Sequence, residues 1–302
     1  MNAGNVQTMA ATQDFMFCAT DWIGMATEDL PTVGSILVDV SNFPALADRA
    51  QQGMLNFLFL ARLMKDPRAF AANGAFRANG RSLIDTRAVY YDGNSQGGIM
   101  GGALMAVAQD ITRGVLGVPG MNYSTLLNRS TDFATYSSIM YNAYPDKLDQ
   151  QVIFALMQML WDRAEADGYA AHMTDRPLPN TPAHTILMTP AFGDHQVANV
   201  AAEVEARTIG AAIHWPALAA GRSPDVTPFW GIPRITRYPY NGSAFVIWDS
   251  HKTPAAPLGN TSPQTGDDPH SYPRSQAADQ ALKSAFLQPD GAVVDTCAGK
   301  PC

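Results

Sequence analysis

The residues best suited to catalysis surround Ser95, in the segment GNSQG at positions 93–97. This segment matches the pattern G-x-S-x-G, in which a strand ends, the chain reverses at the serine and a helix begins. The apolar run Ala88–Asp92 leads in, and small and apolar residues lead out. We therefore predict that Ser95 is a nucleophile in a strained backbone conformation. The backbone N–H of Gln96 is predicted to face a developing oxyanion.

The glycines around this serine explain how a strand and a helix could come close together. Gly93 and Gly97 are predicted to leave room where the two elements meet. Gly98, Gly101 and Gly102 would let the helix lie close on the sheet. The alternative is a glycine-rich turn in which the serine has no function.

A serine hydroxyl needs a general base, and that base needs an orienting carboxylate. Where a G-x-S-x-G serine belongs to a triad, the acid and then the histidine follow it along the chain. Asp194 is the predicted acid, because it comes shortly after the apolar strand Thr185–Thr189. The alternative role of Asp194 is to cap a helix that begins near Gln196.

His251 and His270 follow the last predicted strand and are the candidates for the base. We predict His270, which precedes the final predicted helix Ser275–Leu287, and keep His251, close after the strand, as the alternative. Asp267 and Asp268 could form a metal site with His270, but the spacing matches no known metal motif. No metal or cofactor is therefore predicted.

Short apolar runs alternate with helical stretches, which predicts the α/β class, with a mainly parallel sheet and helices on both faces. The runs are apolar throughout, as buried parallel strands are, and ligands of such sheets bind at the carboxyl ends of the strands. The predicted strands are Phe15–Thr20, Ala88–Asp92, Gly114–Val118, Thr185–Thr189 and Ser243–Trp248. The predicted helices are Phe43–Met64, Gln96–Asp110, Lys147–Ala166, Gln196–Ala212 and Ser275–Leu287.

Two further regions border the predicted site. Residues 121–180 contain helical material with many Met and Tyr, and form either a lid or a pair of ordinary crossover helices. Residues 215–242, rich in Pro, Gly and aromatic side chains, predict a long irregular connection. Trp22, Trp230 and Tyr238 are candidate neighbours of an apolar substrate group, although most such residues serve packing.

The composition predicts one domain over residues 1–302 and excludes some functions. The chain is 46% hydrophobic and 16% charged, so it can bury a large core. Its net charge of −7, without a cluster of Lys or Arg, argues against nucleic acid as a partner. The apolar stretches are too short to form an integral membrane segment. The first fourteen residues lack the features of a signal peptide.

The three cysteines give a mixed signal, in which only the C-terminal pair favours an oxidising compartment. Cys297 and Cys302 are close enough in sequence for a local disulfide, whereas Cys18 lies in an apolar run and is predicted to be a buried thiol. We therefore expect the full-length protein to be secreted or periplasmic, which conflicts with the missing signal peptide.

Most of the chain resembles the α/β-hydrolase superfamily, in particular its bacterial lipase- and esterase-like members. CATDWIGM at 18–25 resembles the strand and D-x-x-G turn that precede the nucleophile, and DGNSQGG at 92–98 resembles the nucleophile turn. GDHQV at 193–197 resembles the acid loop, and DPHSYPR at 268–274 the histidine loop. The segment from 285 to 302 looks like the ending of secreted bacterial members.

The resemblance implies a serine hydrolase that cleaves small-molecule or lipid esters in two steps. Ser95 would attack the ester carbonyl with His270 as base, and water would then release the acyl group. Other chemistries run on the same fold, so a peptidase or a polyester depolymerase is one alternative. A truncated domain without catalytic activity is the other.

The start of the chain departs from the family. Members carry further strands and an oxyanion loop of the HG or HGGG type before the segment at 18–25. Here only fourteen residues precede Phe15, and they are typical of one short helix. We therefore expect an N-terminally incomplete sheet that lacks the second oxyanion N–H. A chain that begins inside a longer protein would explain this and the missing signal peptide.

Loss of a strand from the middle of a sheet leaves buried N–H and C=O groups unpaired, which is costly. We therefore predict that the 302-residue chain alone is destabilised or poorly active. The measurement is hydrolysis of a short-chain ester by the purified chain. Turnover comparable to that of an intact family member would contradict the prediction.

Overall fold

The computed structural model of the chain describes residues 3–302. A five-stranded parallel sheet with helices around it confirms the predicted α/β class. The strands are β1 Arg77–Ala78, β2 Arg81–Ser82, β3 Val89–Asn94, β4 Ile111–Gly117, β5 Thr185–Thr189, β6 Ala212–Ile213 and β7 Ala244–Phe245. The α-helices are α1 Gly4–Gln13, α2 Leu30–Val38, α3 Pro44–Lys65, α4 Gln96–Val107, α5 Tyr123–Leu126, α6 Phe133–Ala143, α7 Lys147–Trp161, α8 Asn199–Thr208, α9 Tyr272–Ser275 and α10 Ala277–Phe286. Short 3-10 helices lie at Thr27–Asp29, Val40–Asn42, Phe70–Ala72, Gly74–Phe76, Leu127–Arg129, Ala166–Gly168 and Ala170–His172.

The large sheet has the strand order β3-β4-β5-β7-β6, and each neighbouring pair is parallel. The hairpin of β1 and β2 is antiparallel and separate from this sheet. Because all five strands point the same way, the turns that follow β3, β4 and β5 lie along one edge. This carboxyl edge carries Ser95 after β3 and the segment of Asp194 after β5.

Four of the five predicted strands lie in the sheet, as β3, β4, β5 and β7. The prediction of a strand at Phe15–Thr20 is wrong, because this segment pairs with no strand. Within residues 3–302 the sheet ends at β3, so the segment has no strand partner for its N–H and C=O groups and is only partly buried. The gap expected in the middle of the sheet is likewise absent from the described residues, which removes the structural reason for expecting the chain to be destabilised or poorly active.

All five predicted helices are present, as α3, α4, α7, α8 and α10, and most are shorter than predicted. The helical material predicted at 121–180 forms α5, α6 and α7, whereas its role as a lid stays a prediction. Residues 215–242 form the irregular connection that the sequence predicts. The sequence pattern did not reveal α2, because its β-branched residues and glycine weaken helix propensity.

The middle of the sheet is buried on both faces. Leu116 in β4 and Ile186 in β5 pack on one face in a cluster that includes residues of α4. Val115 and Leu187 alternate with them and pack on the other face, against Phe286 of α10. The sheet is therefore covered by helices on both sides, which is why its strands are apolar throughout.

The cysteines are partly as predicted. Cys297 and Cys302 form the predicted disulfide. The prediction of a buried thiol at Cys18 holds only in part: the free thiol is partly buried, since the segment around it has no strand partner to cover it. That partial burial raises the pKa of the Cys18 thiol. Within the described residues, no helix combines the length and apolar character needed to cross a membrane.

A buried cluster of charges connects α10 to β3. The Nζ atom of Lys283, which is 1% exposed, lies 3.2 Å from Oδ1 of Asp92 and 3.6 Å from Oδ2 of Asp279. Burial by itself would lower the pKa of Lys283, but the two carboxylates more than offset this effect and the pKa is raised. The ammonium group therefore stays charged and balances two buried acids.

Replacement of Lys283 by methionine tests how much this cluster contributes. Lys283→Met should lower the free energy of unfolding by about 3 to 5 kcal/mol, because two buried carboxylates lose their counter-ion. The matched control is Arg62→Met, which removes an exposed partner of Asp110 and should cost less than about 1 kcal/mol. Urea unfolding measures both values, and equal losses would contradict the prediction.

Candidate active site

Ser95 occupies the sharp reversal between β3 and α4. Its backbone dihedrals are φ 58° and ψ −121°, a conformation that non-glycine residues rarely adopt. Its N–H donates a hydrogen bond to the carbonyl oxygen of Gly117 at the end of β4, at 2.9 Å. Strain of this kind costs on the order of 1–3 kcal/mol and persists where surrounding structure imposes it. The predicted strand, strained turn and helix are therefore all present.

The two glycines that flank the turn are not equivalent. A Cβ atom on Gly93 would clash with the carbonyl oxygen of Gly97. A Cβ atom on Gly97 would meet its closest neighbour, the hydroxyl of Tyr91, at 3.4 Å, which is ordinary contact. The steric requirement predicted for both positions thus holds for Gly93 and is wrong for Gly97. The reason is that the crowded atom is the backbone oxygen of Gly97, not its α-carbon.

The glycines of α4 face two different neighbours. A Cβ atom on Gly98 would clash with the carbonyl oxygen of Gly117, and one on Gly101 would lie 2.9 Å from Leu116. Both positions therefore let α4 lie close on the sheet, as predicted. The prediction is wrong for Gly102, which faces away from the sheet toward Ala166.

A tyrosine holds the turn in place. The hydroxyl of Tyr91 donates a hydrogen bond to the carbonyl oxygen of Gly97 at 2.6 Å. Burial raises the pKa of Tyr91, so its phenol remains a donor at neutral pH. Sequence analysis placed Tyr91 in a strand without a further role, because a hydrogen bond from a strand side chain to a helix backbone leaves no local signal.

The predicted acid and base are in contact. Nδ1 of His270 lies 2.9 Å from Oδ2 and 3.0 Å from Oδ1 of Asp194, and the two residues are 3% and 1% exposed. Asp194 also accepts the backbone N–H groups of Gln196 and Val197. Its alternative role, in fixing the turn that leads to α8, is therefore present together with the contact to His270.

Asp268 joins the loops of the predicted acid and base. Its carboxylate accepts the backbone N–H of His270 at 3.0 Å and that of His195 at 3.4 Å, and the side-chain amide of Gln196 at 2.7 Å. Its oxygens therefore serve the loops, and no metal ligation is needed to explain its position. The D-x-H spacing carries the signal for this turn, since Asp side chains often accept the N–H two residues on.

The alternative base, His251, lies in a different setting. Its side chain is 65% exposed, and its Nδ1 is 3.3 Å from Oδ2 of Asp249. Arg222 donates two hydrogen bonds to the same carboxylate, at 2.6 and 2.8 Å. Burial raises the pKa of Asp249, but the hydrogen bonds and the charge of Arg222 more than offset this effect and hold the pKa low. Asp249 therefore has a permanent cationic partner besides His251.

Ser95 and Gln96 open into a cleft of about 610 Å³. Its walls come from α2, from the loop of Met25 and Ala26, and from the helical region 121–180. The apolar residues that line it are Met25, Ala26, Leu30, Val33, Ile36, Leu37, Phe43, Leu46, Ile99, Leu126, Leu127, Phe133, Met157, Trp161 and Val197. The 121–180 region thus forms a wall of the cleft that contains the serine.

The three aromatic residues named as candidate substrate neighbours do not line this cleft. Trp22 stacks on Phe57 with ring centroids 4.2 Å apart. Trp230 is 71% exposed, and Tyr238 is hydrogen-bonded to Nδ1 of His214. None of the three is therefore part of the lining of this cleft, and the irregular connection that carries Trp230 and Tyr238 pairs with β6 through Arg234 and Ile213.

The imidazole of His270 lies beside the cleft with one nitrogen free. Its Nε2 is buried and has no hydrogen-bond partner within residues 3–302. Asp132 lines the cleft together with Ser95. Burial raises the pKa of Asp132, and the neighbouring charge of His270 partly offsets this rise. Within residues 3–302, Nε2 of His270 is therefore not hydrogen-bonded to Ser95, and Asp132 is the residue that connects the surroundings of the imidazole to the cleft of the serine.

The predicted oxyanion donor, the backbone N–H of Gln96, lies in the first turn of α4. Gln96 is the first residue of the helix, so its backbone N–H has no acceptor within α4. Helix N-termini attract negative charge through such free N–H groups. Met25 and Ala26 line the same cleft from the loop after CATDWIG.

No family model, no curated protein and no solved structure matches this chain.

The geometry of the turn at Ser95 predicts that replacing glycine by alanine affects stability differently at positions 93 and 97. Gly93→Ala should lower the free energy of unfolding by about 2 kcal/mol or more, because the added methyl group overpacks a backbone contact. Gly97→Ala should leave stability unchanged or raise it by about 0.5–1 kcal/mol, because alanine favours helix at an uncrowded position. Urea unfolding of both variants is the measurement. Similar losses at both positions would show that the steric account is wrong.

Proposed function

We propose that this protein is a serine hydrolase that cleaves carboxylic esters through an acyl-enzyme intermediate. The observation that carries the proposal is the contact between Asp194 and His270, at 2.9 Å, on the sheet edge that presents Ser95 in a strained turn. The two residues are 76 positions apart. A carboxylate that orients a histidine is the arrangement that a serine nucleophile needs.

The contact to Asp194 determines what the imidazole can do. A neutral imidazole has one donor and one acceptor nitrogen. When Nδ1 donates to Asp194, the unpaired Nε2 of His270 is left as the acceptor. An acceptor at Nε2 can take the proton of a serine hydroxyl, and the resulting imidazolium is stabilised by the carboxylate.

The proposed reaction follows from these roles. The oxygen of Ser95 attacks the ester carbonyl while Nε2 of His270 takes the hydroxyl proton. The backbone N–H of Gln96 donates to the oxyanion that forms. The protonated imidazole then gives its proton to the leaving alcohol, and the acyl group remains on Ser95. Water, deprotonated by the same nitrogen, releases the acid and restores the serine.

The cleft supports an ester with an apolar acyl or alcohol group. Its walls are mainly aliphatic and aromatic, and its volume of about 610 Å³ lies in the usual range for small-molecule sites. The disulfide between Cys297 and Cys302 supports the further proposal that the protein works in an oxidising compartment.

A fluorophosphonate probe tests the nucleophile directly, since it labels only activated serines. The wild-type protein should be labelled, and Ser95→Ala should abolish the labelling without loss of the folded state. A panel of esters of different length and of peptide amides then separates an esterase from a peptidase or a depolymerase. Labelling that survives in Ser95→Ala, or no labelling of the folded wild type, would contradict the proposal.

A pair of histidine variants tests the base. His270→Ala should lower kcat by about a thousandfold or more, as loss of a triad member does. His251→Ala should change kcat by less than about threefold, because the side chain is exposed and Asp249 keeps its arginine. The measurement is ester hydrolysis at saturating substrate. A larger loss in His251→Ala than in His270→Ala would assign the base to the other histidine.

A further inference from the structure

The carboxylate of Asp268 contacts the backbone on both sides of the contact between Asp194 and His270. One of its hydrogen bonds comes from the N–H of His270 itself. Another comes from the N–H of His195, which belongs to the peptide bond that follows Asp194. The separation of these two backbones determines whether Nδ1 of His270 can reach the carboxylate of Asp194. Asp268 therefore sets the distance between the two chain segments from which the interacting side chains extend.

Few other hydrogen bonds join these two segments. Among the described residues, the segments 193–197 and 267–271 share only the three hydrogen bonds accepted by Asp268 and the contact between Asp194 and His270 itself. The other hydrogen bonds of Asp194 come from Gln196 and Val197, within its own loop. Without Asp268, the imidazole contact alone would therefore have to hold the two segments together.

The carboxylate of Asp268 is suited to act as a fixed bridge. Its third hydrogen bond comes from the side-chain amide of Gln196 to Oδ2, at 2.7 Å, so both of its oxygens are engaged. Burial raises the pKa of Asp268, but the hydrogen bonds from Gln196, His270 and His195 more than offset this effect and the pKa is lowered. The group is thus an ionised acceptor at neutral pH, and hydrogen bonds to ionised acceptors are stronger than neutral ones.

The acid loop has an anchor that does not depend on Asp268. Thr131 donates its N–H and its Oγ1 hydroxyl to the carbonyl oxygen of His195, at 2.9 and 3.1 Å. Thr131 and Gln196 both line the cleft that contains Ser95. The acid loop is therefore attached to the wall of the cleft, and the histidine loop is the segment that would shift if Asp268 were lost.

We propose that Asp268 is a positioning residue for the reaction proposed above: it holds the histidine loop against the acid loop, so that Nδ1 of His270 keeps its contact with Asp194. Asp268 does not itself line the cleft and thus acts through His270. The effect on rate rests on the proposed hydrolase function, whereas the effect on the imidazole contact does not. Misplacement of a catalytic group by about 1 Å can cost about a hundredfold in rate.

Ester hydrolysis by three variants tests the effect on rate. Asp268→Ala removes all three acceptor contacts and should lower kcat by about tenfold to a hundredfold. KM should change by less than about threefold, because the wall of the cleft keeps its own anchor at Thr131. Asp268→Asn retains an oxygen that can accept the two backbone N–H groups, so it should recover most of the lost kcat.

The matched control is Asp267→Ala. Asp267 is exposed, as Asp268 is, but its only hydrogen bond within residues 3–302 that involves another loop is accepted by its backbone oxygen, from Thr253. Its replacement should change kcat by less than about threefold. Values of kcat are expressed per serine labelled by a fluorophosphonate, so that unfolded protein is not counted. Equal kcat in Asp268→Ala and Asp267→Ala, or no recovery in Asp268→Asn, would overturn the proposal.

Nuclear magnetic resonance of protein labelled with ¹⁵N-histidine tests the imidazole contact without substrate. A proton on Nδ1 of His270 that is donated to Asp194 is protected from exchange with water and gives a downfield resonance, which His270→Ala identifies by its loss. The resonance should be present in the wild type and in Asp267→Ala, and should be lost or broadened in Asp268→Ala.

The two measurements separate the positioning role from the proposed function. A folded wild type that shows the resonance but resists the fluorophosphonate would contradict the hydrolase function, and its loss in Asp268→Ala would still support the positioning role. Absence of the resonance from the wild type, or an unchanged resonance in Asp268→Ala, would overturn that role whether or not the protein hydrolyses esters.

Discussion

The arrangement of this protein depends on one close approach, between the end of β3 and the first turn of α4. The α-carbon of Gly93 lies so near the carbonyl oxygen of Gly97 that no side chain fits between them. The reversal at Ser95, whose φ is positive, requires this close approach. Because α4 begins directly after Ser95, the free N–H groups of its first turn, and the partial positive charge they carry, lie next to the serine.

Parallel topology then brings distant segments to this point. β3, β4 and β5 end at the same edge, and the loops of Asp194 and His270 meet there although they are far apart in sequence. Asp268 accepts N–H groups from both loops and so fixes their spacing. The contact between Asp194 and His270 is thus supported by backbone hydrogen bonds, and its geometry does not depend on one flexible side chain.

Local patterns in the sequence predicted much of this, and long-range contacts account for what they missed. Thr185–Thr189 was predicted with its correct bounds, because a buried run between polar residues identifies a strand without knowledge of its partners. Phe15–Thr20 has a similar pattern but forms no strand, since pairing depends on a neighbour that composition does not reveal. The hydrogen bond from Tyr91 and the hydrogen bond from Gln196 to Asp268 likewise depend on packing between elements. The identity of the base stays a prediction, although the carboxylate partners of the two candidates are known: Asp194 for His270 and Asp249 for His251.

The buried ammonium group of Lys283 has an effect beyond charge balance. It lies on the helix that follows the loop of His270, and it contacts Asp92, three residues before Ser95. The helix that follows the histidine loop and the strand that leads to Ser95 are therefore held together by an ion pair that contacts neither His270 nor Ser95. A substitution at Lys283 or Asp92 could therefore change the relative position of His270 and Ser95, although neither substituted residue lines the cleft.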